Sequence, residues 1–222
     1  DDLLQMMLDR HANAPEAMPT KLIREQVITF MIAGHETTAS LMAAAMHHIA
    51  ADPDLWSRIN DEVVAKCGAN EPTAADVPAF RITRAVIRET LRLAPPAPGI
   101  FRVTRTETEL GGYRLPAGTT VFVLLLAAQR DPASWGADAA EFRPDRHLTS
   151  ESDRASRFWA PFGTGPRRCI GQAFATHEAT VALARIVSRT QTAPPEEPLS
   201  LSERVSLRPE PFSLRLSTKE VV

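Results

Sequence analysis

One of the two cysteines of this chain, Cys169, lies in a glycine-rich stretch at residues 162–171, which reads FGTGPRRCIG. Two arginines come directly before it, and an amphipathic run at residues 170–188 begins directly after it. Unpaired amides at a helix N-terminus and nearby positive charge both favour a thiolate over a thiol. Gly163 and Gly171 allow the backbone to turn tightly and to approach a bulky partner. The stretch is therefore suited to hold a thiolate against a flat group.

Three interpretations of Cys169 are open from these residues alone. A free cysteine is most often a buried structural residue. A reactive thiolate is the second interpretation, but a phosphatase loop would need an arginine where Ala175 stands, and no CxxC pair is present. The third interpretation is an axial ligand to haem iron.

A second group of polar residues, AGHETT at 33–38, interrupts a long apolar helical pattern. The hydroxyl of Thr37 can donate a hydrogen bond to the carbonyl of Ala33, and such a bond loosens a helix. Glu36 and Thr37 would then offer a carboxyl group and a hydroxyl group for proton transfer; alternatively, they are polar residues on an exposed face. A zinc-binding HExxH motif is incomplete, because Ala39 takes the place of its second histidine.

A candidate ion pair, Glu89 and Arg92, spans one helical turn of an apolar segment, and Arg146 follows in the stretch FRPDR at residues 142–146. An exposed pair of this kind contributes only about 0–1 kcal/mol. The same E-x-x-R spacing recurs at residues 151–154, within a polar stretch, and we interpret that second match as surface charge.

Together these segments resemble the cytochrome P-450 family. Residues 162–171 fit its haem-binding signature F-x-x-G-x-R-x-C-x-G at every specified position, and residues 33–38 fit its oxygen-binding motif A/G-G-x-D/E-T-T/S. The pattern is most similar to the haem domain of bacterial self-sufficient fatty-acid hydroxylases. Three residues depart from what is common in the family: Asp145 and His147 stand in place of Glu and Phe, and Gln129 stands in place of His.

The resemblance implies a role for each candidate residue. The thiolate of Cys169 would bind the iron of haem b (iron protoporphyrin IX), and Thr37 and Glu36 would deliver protons during oxygen activation. The other residues implied to contact the cofactor are Phe162, Arg167, Arg102, Gly163 and Gly171. The residues implied to line the substrate pocket are Ala33, Ala97, Pro98 and Gly99. Glu89, Arg92 and Arg146 would form a structural ion cluster behind the haem.

The implied function is a haem-dependent monooxygenase that uses O2 to hydroxylate an apolar small molecule, such as a fatty acid. Electrons would come from NAD(P)H through a flavin or iron–sulfur reductase outside this chain, either a separate redox partner or a fused reductase domain. Two alternatives are a truncated haem-binding fragment without catalytic activity and a peroxide-using relative. The family's haem domain is longer than this chain, so we expect the C-terminal half of the fold, with the N-terminal half as a partner.

The composition is that of an ordinary globular protein: 222 residues, 44% hydrophobic, 23% charged, with a formal net charge of −2. This charge gives no basis for nucleic-acid binding. Two cysteines make no disulfide framework, which favours a reducing compartment. We therefore predict a cytoplasmic, bacterial protein, with a membrane anchor upstream of residue 1 as the alternative.

The elements that would position these residues follow from the hydrophobic periodicity, which predicts a mainly α chain with small β-sheets (α+β). We treat residues 1–222 as one catalytic portion of a haem-thiolate domain. The predicted elements are the oxygen-binding helix at 20–51, the ion-pair helix at 80–93, small strands within 102–127, an irregular meander at 136–161, the cysteine loop at 162–171, the last helix at 170–188 and a terminal hairpin at 199–216.

Overall fold

The structure is a computed structural model, and it describes residues 2–149, 158–203 and 206–219. The α-helices within these ranges are α1 (Leu3–Asn13), α2 (Thr20–Ala50), α3 (Pro53–Cys67), α4 (Arg81–Leu93), α5 (Leu125–Ala128), α6 (Pro132–Trp135) and α7 (Gln172–Arg189). Short 3-10 helices lie at Ala74–Ala79, Pro144–His147 and Gly165–Arg167. No helix in the described part of the chain is long and apolar enough to cross a membrane.

The strands are short and pair two by two, always antiparallel. The pairs are β1 (Ile100–Val103) with β4 (Thr120–Val123), β2 (Thr108–Leu110) with β3 (Tyr113–Leu115), β5 (Thr190–Thr192) with β8 (Leu216–Thr218), and β6 (Leu201–Glu203) with β7 (Leu207–Pro209). The predicted fold class, mainly α with small sheets, is therefore confirmed.

The chain divides into two compact units, residues 1–39 and residues 40–222, with the boundary inside α2. In the first unit, the carboxylate of Asp2 caps α1 by accepting a hydrogen bond from the amide of Gln5 at 2.8 Å. This unit also carries the AGHETT segment on α2.

The core of the second unit lies among the end of α2 and helices α3, α4 and α7. Its fully buried apolar side chains include Leu41, Ile49, Ile59, Val86 and Leu183. Helix α3 has sharp ends for local reasons: the carboxylate of Asp52 accepts from the amide of Leu55, Pro53 takes the first turn, and Gly68 ends the helix with φ of 58°. The end of α2 and the helices α3 and α7 therefore pack with α4 in this core.

The structure corrects the predicted strands and hairpin. The apolar run that we predicted as a strand up to residue 127 ends as β4 at Val123, and residues 125–128 form α5 instead. At the start of the range predicted to hold small strands, β1 already begins at Ile100 and ends at Val103, and β2 begins only at Thr108. The terminal hairpin at 199–216 is shorter, because β6 pairs with β7 while β8 turns away and pairs with β5.

The predicted helix bounds and the observed ones differ by one or two residues. Helix α2 ends at Ala50, α4 begins at Arg81, and α7 begins at Gln172 and ends at Arg189. Part of the predicted meander at 136–161 forms the 3-10 helix Pro144–His147. Residues 150–157 of the meander lie outside the described part of the chain. The second E-x-x-R match at 151–154 is therefore outside it as well.

Candidate active site

The loop that carries Cys169 is fixed by its own backbone. The amide of Cys169 donates to the carbonyl of Phe162 at 2.9 Å, which closes the loop around the 3-10 turn Gly165–Arg167. Gly163 and Gly165 have φ of 70° and 71°, in the left-handed region that favours glycine. The thiol of Cys169 is free and the residue is exposed, so the buried structural interpretation is wrong.

Aromatic and apolar groups surround the loop. The rings of Trp159 and Phe162 meet edge to face with centroids 5.9 Å apart, and both pack against the core. They line a surface pocket of about 280 Å³ together with Arg168. On the other side of the cysteine, Ile170 and Phe174 are 82% and 73% exposed. Large apolar side chains left this exposed, one and five residues after the cysteine, indicate a surface that an apolar partner could cover.

The remaining residues predicted to contact the cofactor lie on the same loop or on β1. Gly171 adjoins the thiol, since a Cβ atom there would lie 3.8 Å from the sulfur of Cys169, at ordinary van der Waals distance. Arg167 is exposed on the 3-10 turn. Arg102 is exposed in β1, where its guanidinium donates to the carbonyl of Phe101 at 2.9 Å.

The structure brings together Glu89, Arg92 and Arg146, the three residues that the sequence grouped as an ion cluster. Arg92 donates from Nε to Glu89 Oε2 and from Nη2 to Glu89 Oε1, both at 2.8 Å. Arg146 donates from Nε to Glu89 Oε1, also at 2.8 Å. All three residues are at most 2% exposed. This bidentate geometry and burial distinguish the cluster from an exposed ion pair.

The carboxylate of Glu89 accepts hydrogen bonds from two further donors. The amide of Arg143 donates to Oε1 at 2.9 Å, and the ring of His147 donates from Nε2 to Oε2 at 2.9 Å. Burial by itself would raise the pKa of Glu89, but the hydrogen bonds from Arg92, His147 and Arg143 and the charge of Arg92 outweigh it and lower this pKa to about 2. Burial lowers the pKa of His147, and the charges of Arg88 and Arg92 act in the same direction, whereas Glu89 opposes them.

The proton-delivery candidates lie in the first unit, on α2. Thr37 Oγ1 donates to the carbonyl of Ala33 at 2.6 Å, the bond expected from the sequence. Glu36 and Thr37 are half-buried, and Ala33 is exposed. A Cβ atom added at Gly34 would meet nothing within 4 Å, so the helix has open space at this point.

The other substrate-pocket candidates, Ala97, Pro98 and Gly99, lie just before β1. Ala97 is exposed, and the carbonyl of Pro98 accepts from the amide of Leu126 at 2.9 Å. A Cβ atom at Gly99 would approach the ring of Phe122 to 2.3 Å. The contact between neighbouring strands is therefore a sufficient reason for glycine at this position.

Two residues of the second unit were missed as contacts of the cluster, although both stood out as departures from the family pattern. His147 contacts the carboxylate of Glu89 directly. Gln129 is fully buried, and its backbone carbonyl accepts from Arg92 Nη1 at 2.8 Å. A sequence signal was present only for His147, which directly follows Arg146, because Gln129 has no member of the cluster beside it in the sequence.

The residues present fit a haem group. A single exposed sulfur on a backbone-fixed loop supplies the thiolate that this class of haem iron uses as its protein ligand. Exposed apolar surface at Ile170 and Phe174 suits a flat hydrophobic ring, and Arg167 provides a cation for an acidic edge.

The family model for cytochrome P-450 matches residues 1–216. A self-sufficient cytochrome P-450 monooxygenase of Aspergillus kawachii is 37% identical, over 99% of this chain and 21% of that protein. A bifunctional cytochrome P-450/NADPH–P-450 reductase of Gibberella moniliformis is 32% identical, over 99% of this chain and 20% of that protein. A cytokinin hydroxylase of Arabidopsis thaliana is 35% identical, over 85% of this chain and 37% of that protein.

The chain therefore spans about a fifth of the length of the Aspergillus and Gibberella relatives that it matches. The predicted likeness to self-sufficient members of the family is confirmed. Because the family model covers nearly the whole chain, this protein belongs to the cytochrome P-450 family.

Proposed function

We propose that this chain is the catalytic portion of a haem-thiolate monooxygenase in which the sulfur of Cys169 is the protein ligand of the haem iron. The observation that carries this proposal is a free, exposed thiol on a loop whose backbone is closed by the bond from Cys169 to Phe162. Haem with a thiolate ligand supplies the activation of O2 for insertion of one oxygen atom into a C–H bond.

The loop residues would hold the thiolate and limit its contact with water. The left-handed turns at Gly163 and Gly165 allow the segment before the cysteine to fold back, so that the amide of Cys169 reaches the carbonyl of Phe162. Phe162 is half-buried against Trp159, so its ring covers one side of the loop. We propose that Arg167 and Arg102 pair with the haem carboxylates, since both guanidinium groups are exposed.

For proton delivery we propose Thr37 and Glu36. The hydroxyl of Thr37 donates its hydrogen to the carbonyl of Ala33, which leaves its lone pairs available to accept a hydrogen bond from a water molecule. The half-buried carboxyl group of Glu36 is one residue away and can exchange protons with solvent. Together they would hold and move a proton at Thr37 Oγ1.

The electron source and the substrate are also proposals. Two relatives, one named self-sufficient and the other named bifunctional with an NADPH–P-450 reductase, support NADPH as the electron donor, through a reductase domain outside residues 1–222. The N-terminal half of the haem domain would complete the site. The substrate would be an apolar small molecule, and a fatty acid is the class that the resemblance to self-sufficient hydroxylases implies. We propose that Ala33, Ala97, Pro98 and Gly99 line its pocket.

The test is haem binding followed by reduction and addition of carbon monoxide. We expect the unaltered chain to show the red-shifted Soret band of thiolate-ligated haem, and we expect Cys169→Ser to lose it. Cys67→Ala is the matched control, because Cys67 is the other free cysteine and is buried in α3. It should keep the red-shifted band. If the unaltered chain takes up no haem, or shows the same unshifted band as Cys169→Ser, the chain is a catalytically silent portion instead.

A further inference from the structure

Gln129, directly after α5, has a fully buried side chain whose amide is engaged at both ends. Its Nε2 lies 3.3 Å from the carbonyl oxygens of Leu91 and Arg92, to which it donates. Its Oε1 accepts from the amide of Ala160 at 3.2 Å. Only this orientation satisfies the neighbours, because the flipped amide would set an oxygen against two carbonyls and an NH2 group against a backbone N–H.

The two donor bonds complete the C-terminus of α4. The last four carbonyls of a helix have no partner within the helix. In α4 the first of these, on Thr90, accepts from the amide of Ala94 at 2.7 Å. The side-chain amide of Gln129 donates to the next two carbonyls, on Leu91 and Arg92. The last carbonyl, on Leu93, accepts from Arg130 Nη2 at 2.6 Å. A side-chain pair from a distant segment therefore caps the helix that carries Glu89 and Arg92.

The acceptor bond leads directly to the cysteine loop. The amide of Ala160 donates to Gln129, and the carbonyl of Ala160 accepts from the amide of Gly163 at 2.9 Å. Phe162, inside that turn, in turn accepts from the amide of Cys169. Three hydrogen bonds thus lead from Gln129, which is itself bonded to the end of α4, to the residue that bears the thiol.

We propose that Gln129 is a positioning residue that holds the start of the Cys169 loop in register with the end of α4. This inference rests on the proposed function for its catalytic meaning, since the loop matters most if its sulfur binds iron. An unsatisfied buried amide is costly, so the bonds of Gln129 to α4 and to Ala160 open together. The loop is therefore held as firmly as the C-terminus of α4.

The first test is amide hydrogen exchange of the unaltered chain, which needs no mutation and no haem. We expect the amides of Ala160, Gly163 and Cys169 to exchange at rates within about tenfold of the amide of Ala94 at the end of α4. Loop amides that exchange more than about a hundredfold faster than Ala94 would show that the loop opens independently of α4, and this would overturn the proposal.

The second test compares variants. Gln129→Met keeps the length of the side chain and removes both hydrogen-bonding ends, so exchange of residues 160–171 should rise by at least about tenfold. Thr83→Val is the matched control, because it removes a buried hydroxyl bond to Glu62 at the opposite end of the same helix. In Thr83→Val the amides of residues 160–171 should exchange at the same rates as in the unaltered chain. Equal changes in both variants would reduce Gln129 to a contributor to general stability.

A conservative variant adds a rescue. The neutral imidazole of Gln129→His carries one donor and one acceptor, so it should restore protection of the loop to within about threefold of the unaltered chain. Loss of loop protection equal to that of Gln129→Met would contradict the role of the two opposed bonds. The carbon monoxide spectrum tests the iron ligand and amide exchange tests Gln129, so failure of either proposal can be told apart from failure of the other.

Discussion

At the scale of single residues, Glu89 shows how a short motif becomes part of a buried site. The E-x-x-R spacing places a carboxylate and a guanidinium on one helix face, but the same spacing also occurs at exposed positions. Here most residues of α4 are buried, so the carboxylate of Glu89 is shielded from solvent and accepts five hydrogen bonds from protein donors. Its partners come from α4 and from the 3-10 helix Pro144–His147 and the residue before it. The cluster therefore fastens the meander to α4.

We expect Glu89→Gln to lower the free energy of unfolding by about 3–5 kcal/mol, because it leaves Arg92 and Arg146 buried beside a neutral group. Urea unfolding measures this loss. Arg58→Ala is the control, since it breaks the ion pair of Arg58 with Asp145, whose side chains are 44% and 49% exposed. The control should cost no more than about 1 kcal/mol. Similar losses in the two variants would mean that the buried cluster contributes no more than a surface pair.

At the scale of elements, the sequence predicts the long helices well and the short ones poorly. The bounds of α2 and α4 follow from many apolar residues at helical spacing, and the cap at Asp52 and the stop at Gly68 are local signals. The run at residues 121–128 has no such signal, because a short apolar segment fits a buried strand and a buried helix equally well. The end of strand β4 is decided by its pairing with β1, and the last pair of that ladder joins Val123 to Ile100.

The same reasoning explains the C-terminal hairpin and part of the candidate site. Strand β8 pairs with β5 across a long separation in sequence, which no local turn signal announces. The members of the Glu89 cluster could be named from motifs alone, whereas the contacts of His147 and Gln129 depend on where the meander folds against α4. The residue types of the cluster could therefore be predicted from local motifs, whereas contacts between segments far apart in sequence could be identified only from the fold.

Two glycines in this chain should respond to alanine in opposite directions. At Gly99 a new Cβ atom would lie 2.3 Å from Phe122 Cζ and 2.7 Å from the carbonyl oxygen of Val123, which is backbone and cannot move freely. We therefore expect Gly99→Ala to destabilise the β1–β4 pair by about 1–3 kcal/mol. At Gly34, in α2, the Cβ atom meets nothing within 4 Å, and alanine should stabilise the helix by up to about 1 kcal/mol. Thermal unfolding of both variants measures the two signs; a gain in stability from Gly99→Ala would contradict the observed strand contact.

At the scale of the whole chain, the small net charge of −2 conceals buried groups that respond strongly to acid. The ring of His48, near the end of α2, is stacked on Phe142 with centroids 3.9 Å apart. Burial lowers the pKa of His48 to about 4, and the charges of His47 and Arg130 contribute in the same direction against the opposing charge of Glu89. The pKa of His147 is also lowered, mainly by burial. The folded chain thus keeps two imidazoles neutral beside a carboxylate that stays charged.

These shifts predict a stability that falls in two steps as the pH is lowered. Between pH 6.5 and about 4 the unfolded chain protonates His48 and the folded chain does not, so the free energy of unfolding should fall, by up to about 3 kcal/mol for this residue. His147 adds to the same limb. Below pH 4.5 and down to about 2, the unfolded chain protonates Glu89 before the folded chain does, and the fall continues. Above pH 6.5 the contributions of all three groups are fully present.

The variant His48→Phe separates the first step from the second, because it keeps an aromatic ring against Phe142 and removes the titrating group. We expect its urea-unfolding free energy to be flatter than that of the unaltered chain between pH 6.5 and 4, and equally steep below pH 4. The matched control is His35→Gln, which removes an exposed imidazole and should leave the shape of the profile unchanged. Burial is the main cause of the lowered pKa of His48. An unchanged slope in His48→Phe would therefore mean that water reaches the imidazole of His48 in the folded chain. The packing of α2 against the meander would then be looser than the 3.9 Å stacking of His48 on Phe142 indicates.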